Sequence, residues 1–182
     1  MKFMEIIISP VKAINSSRKR KSEDTLKILI AVSFIFGLAS SIAVVPNSTS
    51  VYILTTGVLS FLVIFAGLII LGYVVSVSTN ILGGKGSYYE GFTAVTYAMA
   101  APSIGVLISA VVSFIPYFGV FASLLVLLVT IAVGISTLFR GIKELFKTDM
   151  IITLIVVIVV SLSLLFAYTS LIRYSSLLTL GI

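Results

Sequence analysis

Residues 28–84, ILIAVSFIFGLASSIAVVPNSTSVYILTTGVLSFLVIFAGLIILGYVVSVSTNILGG, run for 57 positions between Lys27 and Lys85 without one Asp, Glu, Lys or Arg. A helix crosses the hydrocarbon of a bilayer in about 20 residues, so this stretch holds two crossings joined by the polar turn Pro46-Asn47-Ser48-Thr49-Ser50. Two more uncharged stretches follow, 49 residues from Gly91 to Phe139 and 23 from Met150 to Ile172, and these hold two crossings and one. A charged side chain near the centre of a span costs about 2.5 to 3.5 kcal/mol, which is why charge-free length is the deciding signal. The expected fold is all-α: a membrane bundle of five transmembrane helices at about 27–45, 51–82, 88–114, 119–139 and 150–172.

Composition agrees, with 59% hydrophobic and 10% charged residues against the roughly 25% charge of an ordinary soluble domain. The 182 residues form one five-span membrane domain, 27–182, preceded by a basic tail, 1–26. Cysteine and histidine are both absent, which removes thiolate chemistry, the usual proton shuttle and the commonest metal ligands.

The net charge of +6 suits a membrane surface better than nucleic acid once the charges are placed. With alternating crossings, the side that holds the tail collects Lys2, Lys12, Arg18, Lys19, Arg20, Lys21, Lys27, Lys85, Arg140, Lys143 and Lys147, while the other holds Arg173 alone. Such a bias puts the amino terminus in the cytoplasm and the carboxyl terminus outside. The first apolar segment is too long, and its leader too extended, for a cleaved signal peptide. The cluster Arg18, Lys19, Arg20 and Lys21 reads as an orientation anchor attracted to anionic lipid headgroups rather than as a nuclear signal. Ser9-Pro10 opens a short interfacial helix to about Ser16, with Val11 and Ile14 toward lipid.

Local signals punctuate the spans. Ser87 and Glu90 have the spacing of a capping box at the start of the third span, with Glu90 at the positive end of the helix dipole. Pro102 removes one helical hydrogen bond and should kink that span. Pro116-Tyr117-Phe118-Gly119 closes a tight hairpin, making the third and fourth spans antiparallel neighbours. From Leu138 to Phe146, the residues Leu138, Ile142, Leu145 and Phe146 share a face opposite Arg140, Lys143, Glu144 and Lys147, the pattern of an interfacial helix that continues the fourth span. Thr148-Asp149 then caps the fifth. Small residues four apart, Ala101, Gly105, Ser109 and Ser113 in the third span and Ser33, Gly37 and Ser41 in the first, form close-packing rows within the bundle. Asn47-Ser48-Thr49 fits a glycosylation sequon, in a loop too short to expect occupancy.

All six carboxylates, Glu5, Glu23, Asp24, Glu90, Glu144 and Asp149, fall in the tail or at membrane edges. A proton-coupled carrier or an intramembrane protease keeps ionisable groups inside its spans. Gly83-Gly84-Lys85-Gly86-Ser87 superficially resembles a phosphate loop, yet the first glycine of that motif would fall on Thr79 and Gly86 follows the lysine where Ser or Thr is needed. The expected reading is a non-enzyme with no cofactor and no metal.

Taken in order, the proline in a short basic tail, the Gly83 to Ser87 turn leading through aromatics to Glu90, and Tyr97-Ala98-Met99-Ala100-Ala101-Pro102 in the third span form a pattern. Pro116-Tyr117-Phe118-Gly119 and Gly141-Ile142-Lys143-Glu144 complete it. The chain resembles the Yip family, membrane proteins named for interaction with Ypt/Rab GTPases, in its compact prokaryotic form. The resemblance implies five crossings over nearly the whole chain and, in eukaryotic members, a role in vesicle traffic at endoplasmic reticulum and Golgi. This chain lacks the long hydrophilic tail and the Asp-Leu-x-Gly-Pro element of those members, so a bacterial or archaeal plasma membrane is the expected location.

Two functions follow as expectations. The first is partner binding or membrane organisation through a cytoplasmic surface built from Gly83, Gly84, Lys85, Gly86, Arg140 and Lys143 together with the basic cluster. The alternative is an oligomeric channel or carrier for ions or small solutes, lined by Ser76, Ser78, Thr79, Asn80, Thr93 and Thr96 near the Pro102 kink. Expected partners are the bilayer and its anionic headgroups, with a cytoplasmic protein and a homo-oligomer left open and nucleic acid not expected.

Overall fold

The computed structural model describes residues 22–45 and 49–162, and among these all regular structure is helical. In chain order the helices are α1 (Ser22–Val44), α2 (Ser50–Ile81), α3 (Tyr88–Ala98), α4 (Ala100–Val112), α5 (Gly119–Phe146) and α6 (Met150–Leu162). Four segments are long and apolar enough to cross a membrane: α1 from Glu23, α2, the pair α3 and α4 as Tyr88–Val112, and α5. The fifth expected crossing is seen over its first 13 residues as α6. The expected tail helix, the cluster Arg18, Lys19, Arg20 and Lys21, the asparagine of the sequon and Arg173 lie outside the described residues.

Helix α2 shows why the bundle belongs in lipid. Its buried residues, Leu68, Gly72, Val75, Ser76 and Thr79, form a single face confined to its second half. Around them Leu54, Leu62, Val63 and Ile70 are exposed apolar side chains, and a helix apolar on all sides is stable only where the surroundings are apolar too.

The helices adhere through small residues. A side-chain carbon on Gly72 would stand 2.7 Å from the Phe92 Cα, and one on Gly91 would stand 2.5 Å from the Gly72 carbonyl oxygen. At this α2/α3 crossing the two backbones therefore touch directly, which is how dispersion replaces the hydrophobic effect between spans. The expected row in the first span works the same way, because Gly37 abuts the Gly57 carbonyl and the Ser41 hydroxyl donates to the Ile53 carbonyl at 3.1 Å. In the third span Gly105 fits against Thr130, and the Ser109 hydroxyl reaches the Ser123 carbonyl at 3.4 Å. At the hairpin, a side chain on Gly119 would collide with the Val112 and Ser113 carbonyls, and Tyr117 takes a left-handed φ of 65° with its side chain fully exposed.

Two expectations change form. The third span is not one kinked helix but two, separated at Met99. Pro102 cannot offer the N–H that the Ala98 carbonyl would take, and the ladder opens in the turn before it. The segment from Leu138 to Phe146 is the end of α5 itself rather than a helix lying on lipid. Its apolar face is sealed by protein, with Ile142 and Phe146 at 0% exposure, because α3 packs along α5 and the face joins one core with Leu29, Val75, Tyr97 and Val156.

Candidate functional site

Every charged residue among those described sits at one end of the bundle. Glu23, Asp24 and Lys27 open α1, Lys85 and Glu90 flank the glycine turn, Arg140, Lys143, Glu144 and Lys147 end α5, and Asp149 precedes α6. Hydrogen bonds bring these ends together. The Thr25 hydroxyl lies 2.8 Å from the Tyr89 hydroxyl and 3.5 Å from that of Thr93, which ties the first turn of α1 to the first turn of α3. The counts balance at five acids and five bases, so the excess positive charge of the sequence lies outside them, +5 in the tail before Ser22 and +1 at Arg173.

The turn from Gly83 to Gly86 is built by its own backbone. Gly83 adopts φ 94°, the left-handed conformation that glycine takes without strain. Its N–H donates to the Asn80 carbonyl at 3.2 Å, and the Gly84 N–H donates to the Thr79 carbonyl at 2.9 Å. Those two bonds make a Schellman motif and satisfy carbonyls that the end of α2 would otherwise leave open.

The next bonds fasten the turn to other elements. Asn80 holds Gly86 with its amide, Nδ2 donating to the Gly86 carbonyl at 3.0 Å and Oδ1 accepting from its N–H at 3.2 Å. The Lys85 N–H donates to the Phe146 carbonyl at 3.2 Å, filling an acceptor at the end of α5. A side chain on Gly86 would strike the Phe146 ring, and one on Gly84 would meet Thr79 Cγ2 at 2.6 Å and Thr148 Cγ2 at 3.0 Å. Glycine at 84 and 86 is thus required by contact with α2, α5 and the start of α6. Lys147, left-handed at φ 52°, ends α5 beside this joint.

Ser87 and Glu90 form the expected capping box, with the Ser87 N–H donating to Glu90 Oε2 at 2.7 Å. At the start of α6 the Thr148 hydroxyl bonds the Thr153 hydroxyl at 2.9 Å, and Thr153 donates to the Asp149 carbonyl. Gly83 and the side chains of Lys85, Arg140, Lys143 and Lys147 are exposed at this end of the bundle. The residues expected to form a partner surface are therefore present at one end, but Gly84 and Gly86 serve as its packing joint.

Asn80 and Phe146, the two residues that hold the turn, were not expected in that role. The available signal for Asn80 was an amide-bearing residue just before a Gly-Gly helix stop, and for Phe146 nothing local distinguishes it from other apolar positions. Of the residues expected to line a conduit, Ser78 is half-buried and Asn80 exposed, and the other four lie inside the bundle. Ser76, Thr79, Thr93 and Thr96 are buried, and Thr79 and Thr93 donate to the carbonyls of Val75 and Tyr89 in their own helices. Among the described residues no three His, Cys, Asp or Glu side chains cluster as metal ligands would.

Compared with known protein families, the chain matches the Yip1 domain over residues 4–172. Neither a curated protein nor a solved structure gives a match.

Proposed function

This chain belongs to the Yip1 domain family, and from that membership we propose a non-enzymatic multi-pass membrane protein that binds a partner protein or organises the membrane through its charged end. The observation that carries the reading is the turn itself. A loop of three glycines is ordinarily soft, yet here Asn80 and Phe146 fix it and leave Lys85 projecting beside the end of α5. A fixed loop with exposed charge costs little ordering entropy when a partner docks. The charge bias of the whole chain supports a cytoplasmic position for this end, and the short basic tail supports a prokaryotic plasma membrane as the host. The tail cluster Arg18, Lys19, Arg20 and Lys21 adds attraction to anionic headgroups of about 1 kcal/mol per side chain.

Crosslinking from the cytoplasmic side of intact membranes should recover a defined partner. Lys85→Ala with Arg140→Ala should abolish that recovery at unchanged protein level, and unchanged recovery would reject this surface. The channel reading is tested beside it, because purified protein in liposomes would then leak ions or small solutes. The burial of Ser76, Thr79, Thr93 and Thr96 supports the docking reading over that one.

A further inference from the structure

Where α3 gives way to α4, the bundle contains a cavity of about 310 Å³. Its walls come from Leu71 of α2, Met99 and Pro102 at the helix break, Ile131 and Leu138 of α5, and Val160 of α6. That is the lower end of the range for ligand pockets, about 300 to 1,000 Å³. It borders the break. Pro102 leans toward α5, where only a glycine accommodates it, since a side-chain carbon on Gly134 would stand 2.7 Å from the Pro102 ring and 3.0 Å from the Ala98 carbonyl. The carbonyl freed by Pro102 thus lies against Gly134, and the remaining wall is almost wholly hydrocarbon.

The depth of this cavity decides what can enter it. Gly134 is 15 residues from the start of α5 and six from Arg140, where the charged end begins, about 22 Å and 9 Å along the axis, so the cavity sits inside the uncharged span, in the half toward the charged end. Its rim is formed by Ile131 and Ile135, each 47% exposed, and by the exposed Ser161. At that depth these rim residues face lipid tails. A solute arriving from water would have to cross the headgroups first, whereas a chain of the bilayer enters with no dehydration to overcome.

We propose that this cavity receives one hydrocarbon chain of a membrane lipid, held by shape at the break between α3 and α4. The bound chain contacts Met99 and Pro102, the residues at which the third span is discontinuous. Retention rests on dispersion contacts that bulk lipid does not match, the same source of adhesion that operates between the helices.

The test uses the full chain in phosphatidylcholine vesicles that contain a phospholipid with a diazirine at mid-chain. After photolysis, peptide mass spectrometry should find adducts at Met99 and Ile131 several-fold above those at Ile70 and Val133, which are exposed neighbours of Leu71 and Gly134 at matched depth. Ile135→Trp and Ser161→Phe fill the rim from opposite sides at exposed positions, and each should cut labelling of Met99 several-fold while thermal stability is retained. Equal labelling of Met99, Ile70 and Val133 would overturn the proposal. So would labelling of Met99 that neither variant lowers, or its complete absence.

Discussion

Asn80 and Gly86 are joined by two reciprocal hydrogen bonds, an amide side chain matched to a peptide group six residues on, and this pair holds the exposed turn at the charged end of the bundle. An amide does this where a carboxylate or a hydroxyl cannot, since it donates and accepts in one plane. Asn80→Ala should lower stability by about 1 kcal/mol, the modest value suited to exposed hydrogen bonds. Asn80→Asp keeps the acceptor alone and should fall between the two. Thermal unfolding in detergent measures the difference, and proteolysis between Gly83 and Ser87 should speed up in the same order.

Gly86 and the Phe146 ring occupy complementary space. Gly86→Ala should destabilise by about 1 to 3 kcal/mol, as overpacking does. Adding Phe146→Leu should recover part of that loss, giving a coupling energy of about 0.5 to 3 kcal/mol in a double-mutant cycle. Additive losses would mean that the ring is not what the glycine serves.

The glycines of α2 differ in kind. Gly72 meets the α3 backbone, whereas nothing lies within 4 Å of a side-chain carbon placed on Gly67. Gly67→Ala should leave stability unchanged or raise it by up to about 1 kcal/mol through helix propensity. Gly72→Ala should force α2 and α3 apart and lower the unfolding temperature clearly. Similar effects at the two sites would deny the direct backbone crossing.

Ser33 and Thr96 are fully buried, and neither hydroxyl has a hydrogen-bond partner. An unsatisfied buried hydroxyl costs about 1 to 3 kcal/mol. Thr96→Val, which keeps the shape, and Ser33→Ala should therefore each stabilise the protein in thermal unfolding. A loss of stability in both would show that these hydroxyls bind water.

The absence of native cysteine makes orientation directly measurable. Lys85→Cys and Tyr117→Cys each introduce one thiol, at opposite ends of the bundle. A membrane-impermeant maleimide added to intact cells should label the second and spare the first until the membrane is opened.

Much of this was legible in order of charge. Uncharged runs of known length locate the spans because the cost of an ion in hydrocarbon leaves few alternatives, and the capping box at Ser87 and Glu90 was readable because its chemistry is local. The end of α5 was less so. The pattern of Leu138, Ile142, Leu145 and Phe146 identifies an apolar face, but periodicity says nothing about whether lipid or protein covers it, and protein does. Asn80 illustrates the same gap at a single residue, since a polar side chain near a membrane edge suits a conduit or a clamp equally until its partner is seen. Net charge misleads in its own way, because the acids at the described end offset its bases and leave the tail as the main cationic element.

The bond from the Lys85 N–H to the Phe146 carbonyl has one further consequence. The same peptide that carries the lysine also closes the end of α5, and its neighbour Gly84 rests on Thr148 at the entrance to α6. A pull on that lysine is therefore shared among the ends of three spans rather than borne by the loop alone.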